Sequence, residues 1–84
     1  VKLIFSERAQ DEYLHWQATD RAVLERVNVL IKECLRTPFT GIGKPEPLRG
    51  GLAGWWSRRI NREHRLVYRP TEGGLLIAQC RYHY

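Results

Sequence analysis

The sequence predicts an α+β fold in which an N-terminal strand and a two-helix hairpin pack on an antiparallel sheet. Three observations predict it. Apolar residues at helical spacing fill the first half, period-two alternation fills the second, and a proline- and glycine-rich stretch from Pro38 to Pro47 divides them. The 84 residues suffice for one domain, spanning 1–84, with no internal repeat or low-complexity tract. A chain this short removes only about 60 to 65% of its unfolded surface from water, so its core needs large side chains. Three Trp, four Tyr and two Phe help to supply them.

Lys2 to Phe5 reads as a short strand. Ser6 can cap the helix that follows, whose Glu7, Asp11 and Glu12 lie near its positive N-terminal end, with Ala9, Tyr13 and Trp16 as the buried stripe. A second helix opens at Thr19 or Asp20. It places Val23, Val27, Leu30, Ile31, Cys34 and Leu35 on one face until Thr37-Pro38 stops it. Strands are expected at Trp55–Ile60, His64–Arg69 and Leu75 to about Tyr82, joined by turns at Asn61–Glu63 and Pro70–Gly74. Alternation then turns Trp56, Ile60, Leu66, Tyr68, Leu76, Ala78 and Cys80 toward the helices. The uncovered face receives Trp55, Ser57, Arg59, Arg65, Val67, Arg69, Ile77, Gln79, Arg81 and His83.

The net charge of +5 is unevenly placed. Residues 1–42 hold six basic and six acidic side chains, whereas residues 43–84 hold eight basic and three acidic. Seven of those eight are arginine, whose planar fork suits phosphate, so a polyanion is the expected partner. Cys34 and Cys80 have no second cysteine or paired histidine nearby in sequence, which predicts reduced thiols buried as small hydrophobes. No apolar run approaches the roughly 20 residues that span a bilayer, and no signal-peptide pattern is present. The expectation is a soluble cytoplasmic protein with no membrane partner. His15, His64 and His83 lack metal-ligand spacing and no glycine-rich phosphate loop follows a strand, so neither metal nor nucleotide cofactor is expected.

Glu46 is the only acidic residue between Glu33 and Glu63, and Pro45 and Pro47 flank it. A surface ion pair would suit a carboxylate among arginines, but a stiff proline frame holds one side chain in one place, as catalysis requires. His83 follows the apolar strand Leu75–Cys80, which should hold it against fraying. Cleavage of RNA by its own 2′-hydroxyl needs a base, cations for the phosphorane and an acid for the 5′-oxygen. Glu46, Arg59 with Arg65, and His83 provide those three kinds of group, and Tyr84 is placed to stack a base.

Five ordered blocks resemble the YoeB toxins, a branch of the RelE/ParE superfamily of toxin–antitoxin systems: Lys2–Glu7, Gly41–Leu48, Trp56–Ile60, His64–Tyr68 and Cys80–Tyr84. The departures are Val1 for methionine, Phe5 for tryptophan and Ala53 for serine. The resemblance implies a RelE/ParE-like helical pair on a twisted antiparallel sheet. It also implies an endoribonuclease, or mRNA interferase, that cuts messenger RNA in the ribosomal A site and so inhibits translation. By the same resemblance Glu46 is the general base, His83 the general acid, Arg65 and Arg59 hold the phosphate, Tyr84 orients substrate, and Lys44 is a further candidate. Arg81 joins the RNA-contacting set through its expected place on the uncovered face. The implied partners are a cognate antitoxin that covers the active site, the ribosome and mRNA, with a homodimer left open. The alternative is a non-catalytic, ParE-like toxin that binds DNA gyrase.

Overall fold

The computed structural model describes residues 1–84. Strand β1 (Lys2–Phe5) leads into helices α1 (Glu7–Thr19) and α2 (Arg21–Arg36). After the loop come β2 (Glu46–Pro47), a single 3₁₀ turn (Gly50–Leu52), and strands β3 (Trp56–Arg59), β4 (Arg65–Thr71) and β5 (Gly74–Gln79). They form one sheet of order β1-β5-β4-β3-β2. No helix is long and apolar enough to cross a membrane.

Both helix starts are capped by side chains. Ser6 Oγ accepts from the Ala9 amide at 3.0 Å and donates to the Ala78 carbonyl at 2.8 Å, joining the cap of α1 to β5. Asp20 caps α2 through the Val23 amide, which satisfies one of the donors that a helix start leaves unpaired. Leu24, Val27, Leu30, Ile31 and Cys34 of α2 and Ala9 and Trp16 of α1 are buried against Ile60, Leu66, Tyr68, Leu75, Ile77 and Cys80. Burying one such Val, Leu or Ile side chain contributes about 1.5 to 3 kcal/mol. A chain of this length has a total stability of about 4 to 13 kcal/mol, so single core positions matter.

Glu12 is buried although it is charged. It accepts the Cys80 amide at 2.9 Å and Arg8 Nε at 3.1 Å, while Trp16 Nε1 donates to the Cys80 carbonyl at 2.8 Å. Two side chains of α1 thus hold the backbone at the end of β5. The cysteines are unpaired and buried, as expected. Burial pushes the Cys34 thiol up to about 11 and the Cys80 thiol to about 12.

Three expectations about β1 and β5 need correction. The sheet is mixed, because β1 lies parallel to β5 while the remaining pairs are antiparallel. Alternation reports which face a residue occupies and carries no strand direction. A parallel pair requires a long crossover, and the helical hairpin with the other strands provides it. Second, Leu75 and Ile77 face the core, and Leu76 and Ala78 do not. The β4–β5 register explains this: Tyr68 pairs with Ile77 but Val67 pairs with Gln79, leaving Ala78 as an extra residue. This β-bulge reverses the alternation, so Cys80 returns to the core and Gln79 lies opposite Val67 on the other face. Strand β5 also ends at Gln79, earlier than its alternation suggested.

Candidate active site

On the face away from the helices, Lys44, Glu46, Ser57, Arg59, Arg65, His83 and Tyr84 line a cleft of about 210 Å³. A groove of about 580 Å³ between β1 and the helices is larger. Its lining is mostly apolar, including Leu3, Ile4 and Leu14, and offers no carboxylate, imidazole or cation.

The loop before β2 sets the position of Glu46. Arg58, fully buried on β3, donates from Nε to the Tyr68 hydroxyl, from Nη1 to Ile42 O, and from Nη2 to Thr37 O and Thr40 O. One guanidinium thereby fixes both limbs of the turn. The next amide, that of Arg59, donates to Gly43 O at 2.7 Å. Gly43 has φ +82, and a Cβ there would meet Leu30 Cδ2 at 2.9 Å and Arg58 Cβ at 3.1 Å. Lys44 follows at φ +51, in the left-handed region that is uncommon for a side-chain-bearing residue. The chain then enters β2, where Glu46 pairs with Ser57 across to β3. This short edge strand, read from the sequence as loop, carries the carboxylate into the cleft.

Arg59 and Arg65 face each other in the β3–β4 register. The turn between these strands is held by Asn61, whose side-chain oxygen accepts the amides of Glu63 and His64, both at 2.9 Å. Arg65 Nη1 donates to the carbonyls of Asn61 at 2.7 Å and His64 at 3.0 Å, so this guanidinium is anchored to its own turn.

His83 and Tyr84 reach the cleft by leaving the sheet. Tyr82 has φ +67, and its amide donates to His64 Nδ1 at 2.7 Å while its carbonyl accepts the Arg65 amide at 3.0 Å. The chain therefore hooks over the start of β4. The hydroxyl of Ser57 lies 3.4 Å from that of Tyr84, a long hydrogen bond. The expectation of an ordered end agrees with these contacts, although a left-handed turn achieves it where a continuing strand was expected.

Arg81 is placed differently from its expectation. Its guanidinium lies 5.6 Å from the Trp16 ring centre and 4.6 Å from that of Tyr82, and its Nε is buried without a hydrogen-bond partner. It faces α1 and does not line the cleft. Strand alternation could not place it, because the strand has already ended.

The electrostatics are equally specific. The molecule has two ion pairs, Arg8–Glu12 and Arg36–Glu33, each within one helix. Glu46 is in neither, despite sharing the cleft with Lys44, Arg59 and Arg65. The simple reading of Glu46 as a surface ion-pair partner therefore fails. The cleft presents a carboxylate, an imidazole and a phenol among three cations, a set able to move protons beside an anionic group. Sequence reading placed Ser57 on this face but gave it no part in the site. It put Gln79 on the same face and named His64 as lacking metal-ligand spacing, giving neither a part in the site, because their side-chain contacts are all with backbone or aromatic neighbours.

Comparison with known proteins identifies the family and the fold. Residues 5–84 match the family of YoeB-like toxins of bacterial type II toxin–antitoxin systems. The chain is 60% identical to toxin YoeB of Escherichia coli strain K12, over the full length of both. It superimposes on a YoeB/ParE toxin from Agrobacterium tumefaciens with a TM-score of 0.96, at 51% identity and with all of each chain covered. A third relative, from Staphylococcus aureus, has been solved as a YoeB dimer and in a YoeB–YefM complex. In the complex the TM-score is 0.93 at 41% identity, covering 100% of this chain and 98% of that one. The chain belongs to the YoeB-like toxins of bacterial type II toxin–antitoxin systems.

Proposed function

We propose that this toxin is a ribosome-dependent endoribonuclease that cuts messenger RNA in the A site. The observation that carries the reading is an unpaired Glu46 sharing one cleft with His83, Tyr84 and the cations Lys44, Arg59 and Arg65. Glu46 takes the proton of a 2′-hydroxyl as its oxygen attacks the adjacent phosphorus. Arg59 and Arg65 face each other across β3 and β4 and meet the charge that grows on the phosphorane oxygens. As the bond from phosphorus to the 5′-oxygen breaks, His83 delivers a proton to that oxygen. The products are a 2′,3′-cyclic phosphate and a 5′-hydroxyl. Tyr84 orients the nucleotide by stacking, and Lys44 adds charge at the mouth. Arg81, turned toward Trp16, is left out of the RNA-contacting set.

A gyrase-binding toxin would need none of this proton-transfer set. The YefM-bound relative supports an antitoxin as partner here, and the dimeric relative supports self-association. The test is primer extension on a translated message and on the same RNA without ribosomes. Wild type should cut the translated message far faster. Glu46→Ala and His83→Ala should each lose about 10²- to 10⁴-fold, the usual worth of a positioned acid or base. Cuts that persist unchanged in both variants would overturn the site, and equal rates on free RNA would overturn the ribosome dependence.

A further inference from the structure

We propose that Gln79 is a positioning residue for the cleft, its side-chain amide holding the backbone turn that delivers His83 and Tyr84. The proposal rests on the nuclease reading above. Gln79 is the last residue of β5 and is only 6% exposed, although it lies on the face that no helix covers. The bulge at Ala78 puts it there by bringing it opposite Val67. Its Nε2 lies 3.1 Å from Arg81 O, 3.3 Å from Tyr82 O and 3.2 Å from His83 O. Three successive carbonyls thus converge on one nitrogen that carries two hydrogens. Such convergence occurs only if the backbone curls around the amide, as the left-handed Tyr82 makes it do.

The other ties of this hook stop at Tyr82, through His64 Nδ1 and the Arg65 amide. Beyond that point the bond from Gln79 to His83 O is the only hydrogen bond that any other residue makes to the backbone of His83 or Tyr84. The Tyr84 hydroxyl adds its 3.4 Å contact with Ser57. A general acid works only within about 0.5 Å of its productive place, so the order of this backbone becomes a condition of turnover. Gln79 touches neither substrate nor reacting atom and acts through the turn.

The experiment uses programmed ribosomes and compares wild type, Gln79→Glu, Gln79→Leu and His83→Ala by single-turnover cleavage. Gln79→Glu keeps the size but aims acceptors at three carbonyls, and Gln79→Leu removes the donors without that repulsion. Both should lower the maximal rate, Gln79→Glu by about 10- to 30-fold and Gln79→Leu by less, the effect of losing one or two hydrogen bonds. The half-saturating toxin concentration should stay within about twofold of wild type, since the cations are untouched. The rate ratio of Gln79→Glu to wild type should rise as pH falls, because protonation restores one donor. In the free toxin, the ¹⁵N heteronuclear NOE of the His83 and Tyr84 amides should drop in both variants while that of α2 does not. Full maximal rates in both variants, or unchanged NOE values at His83 and Tyr84, would overturn the proposal. A global loss of folding with an unaltered rate per folded molecule would do so too, leaving a structural role alone. Failure of wild type to cleave, or full activity in His83→Ala, would instead sink the nuclease reading.

Discussion

Replacing Arg58 by lysine tests whether the frame behind Glu46 is built by hydrogen bonds or by side-chain bulk. The guanidinium uses four of its five N–H groups, on Tyr68 Oη, Ile42 O, Thr37 O and Thr40 O, and it is fully buried with no ion-pair partner. An ammonium on a flexible stem cannot span acceptors arranged around a planar fork, and it serves two of the four at best. Losing two charge-assisted bonds at about 1.5 kcal/mol each costs about 3 kcal/mol. For a domain of this size that corresponds to a fall in Tm of about 12 to 24 °C. Thermal unfolding by circular dichroism measures it, and hydrogen exchange locates it: Gly41 to Lys44 should exchange faster, and the buried turns of α2 should not. Arg58→Met is the control. It removes the desolvated charge along with the bonds, so it should be no less stable than the lysine variant. A fall of less than about 4 °C in Arg58→Lys, together with a larger one in Arg58→Met, would refute the reasoning and leave packing of the aliphatic stem as the cause.

Gly74→Ala should weaken the joint between β1 and β5 by more than about 2 kcal/mol, because φ is +152 and the added Cβ would land on the Lys2 carbonyl; a urea midpoint equal to wild type would contradict this. Raising the pH should destabilise the fold from about pH 9 upward. Burial raises Cys80 from 9.0 to about 12, Cys34 from 9.0 to about 11 and Tyr68 from 10.0 to about 12. Each group is kept protonated in the folded state, so its contribution is complete below the unfolded value and is lost as the pH rises through the folded one. Urea midpoints between pH 8 and 11 check the trend, and a thiol reagent at pH 8 should label the cysteines only as fast as the protein opens.

Much of this fold was legible because its signals are local. Ser6 and Asp20 are cap residues by chemistry, and Val27, Leu30, Ile31 and Cys34 are buried at the spacing that alternation on a helix demands. The cleft residues on β3 and β4 were placed by parity alone, since nothing interrupts those strands. The misplaced residues all depend on something non-local. The bulge at Ala78 is visible only against β4, and it exchanged the faces of Leu76 and Ile77. The parallel partner of β1 lies far along the chain, and β2 is two residues long, too short for any alternation to show. Arg81 was misplaced because face parity was carried past the end of its strand, into a turn created by contacts with His64 and Gln79.

The same contacts explain how the fold tolerates its own site. Lys44, Arg59 and Arg65 converge on a cleft with one carboxylate, and like charges so grouped oppose folding. None of the three is held by an acidic side chain. Arg65 is anchored by carbonyls of its turn, Arg59 by its register with Arg65 and its amide on Gly43, and Lys44 by a left-handed backbone behind a glycine with no room for a Cβ. Had neighbouring carboxylates anchored these cations, they would already be neutralised and unavailable to a phosphate. Backbone anchoring fixes the positions of the charges and leaves their fields open. The repulsion is then offset by the core and relieved by whatever anion enters, which on the proposed function is the phosphate of an RNA or the carboxylates of a covering antitoxin. On that proposal, a toxin silenced by one partner and acting on another is served by a cleft whose charge the fold itself leaves unmet.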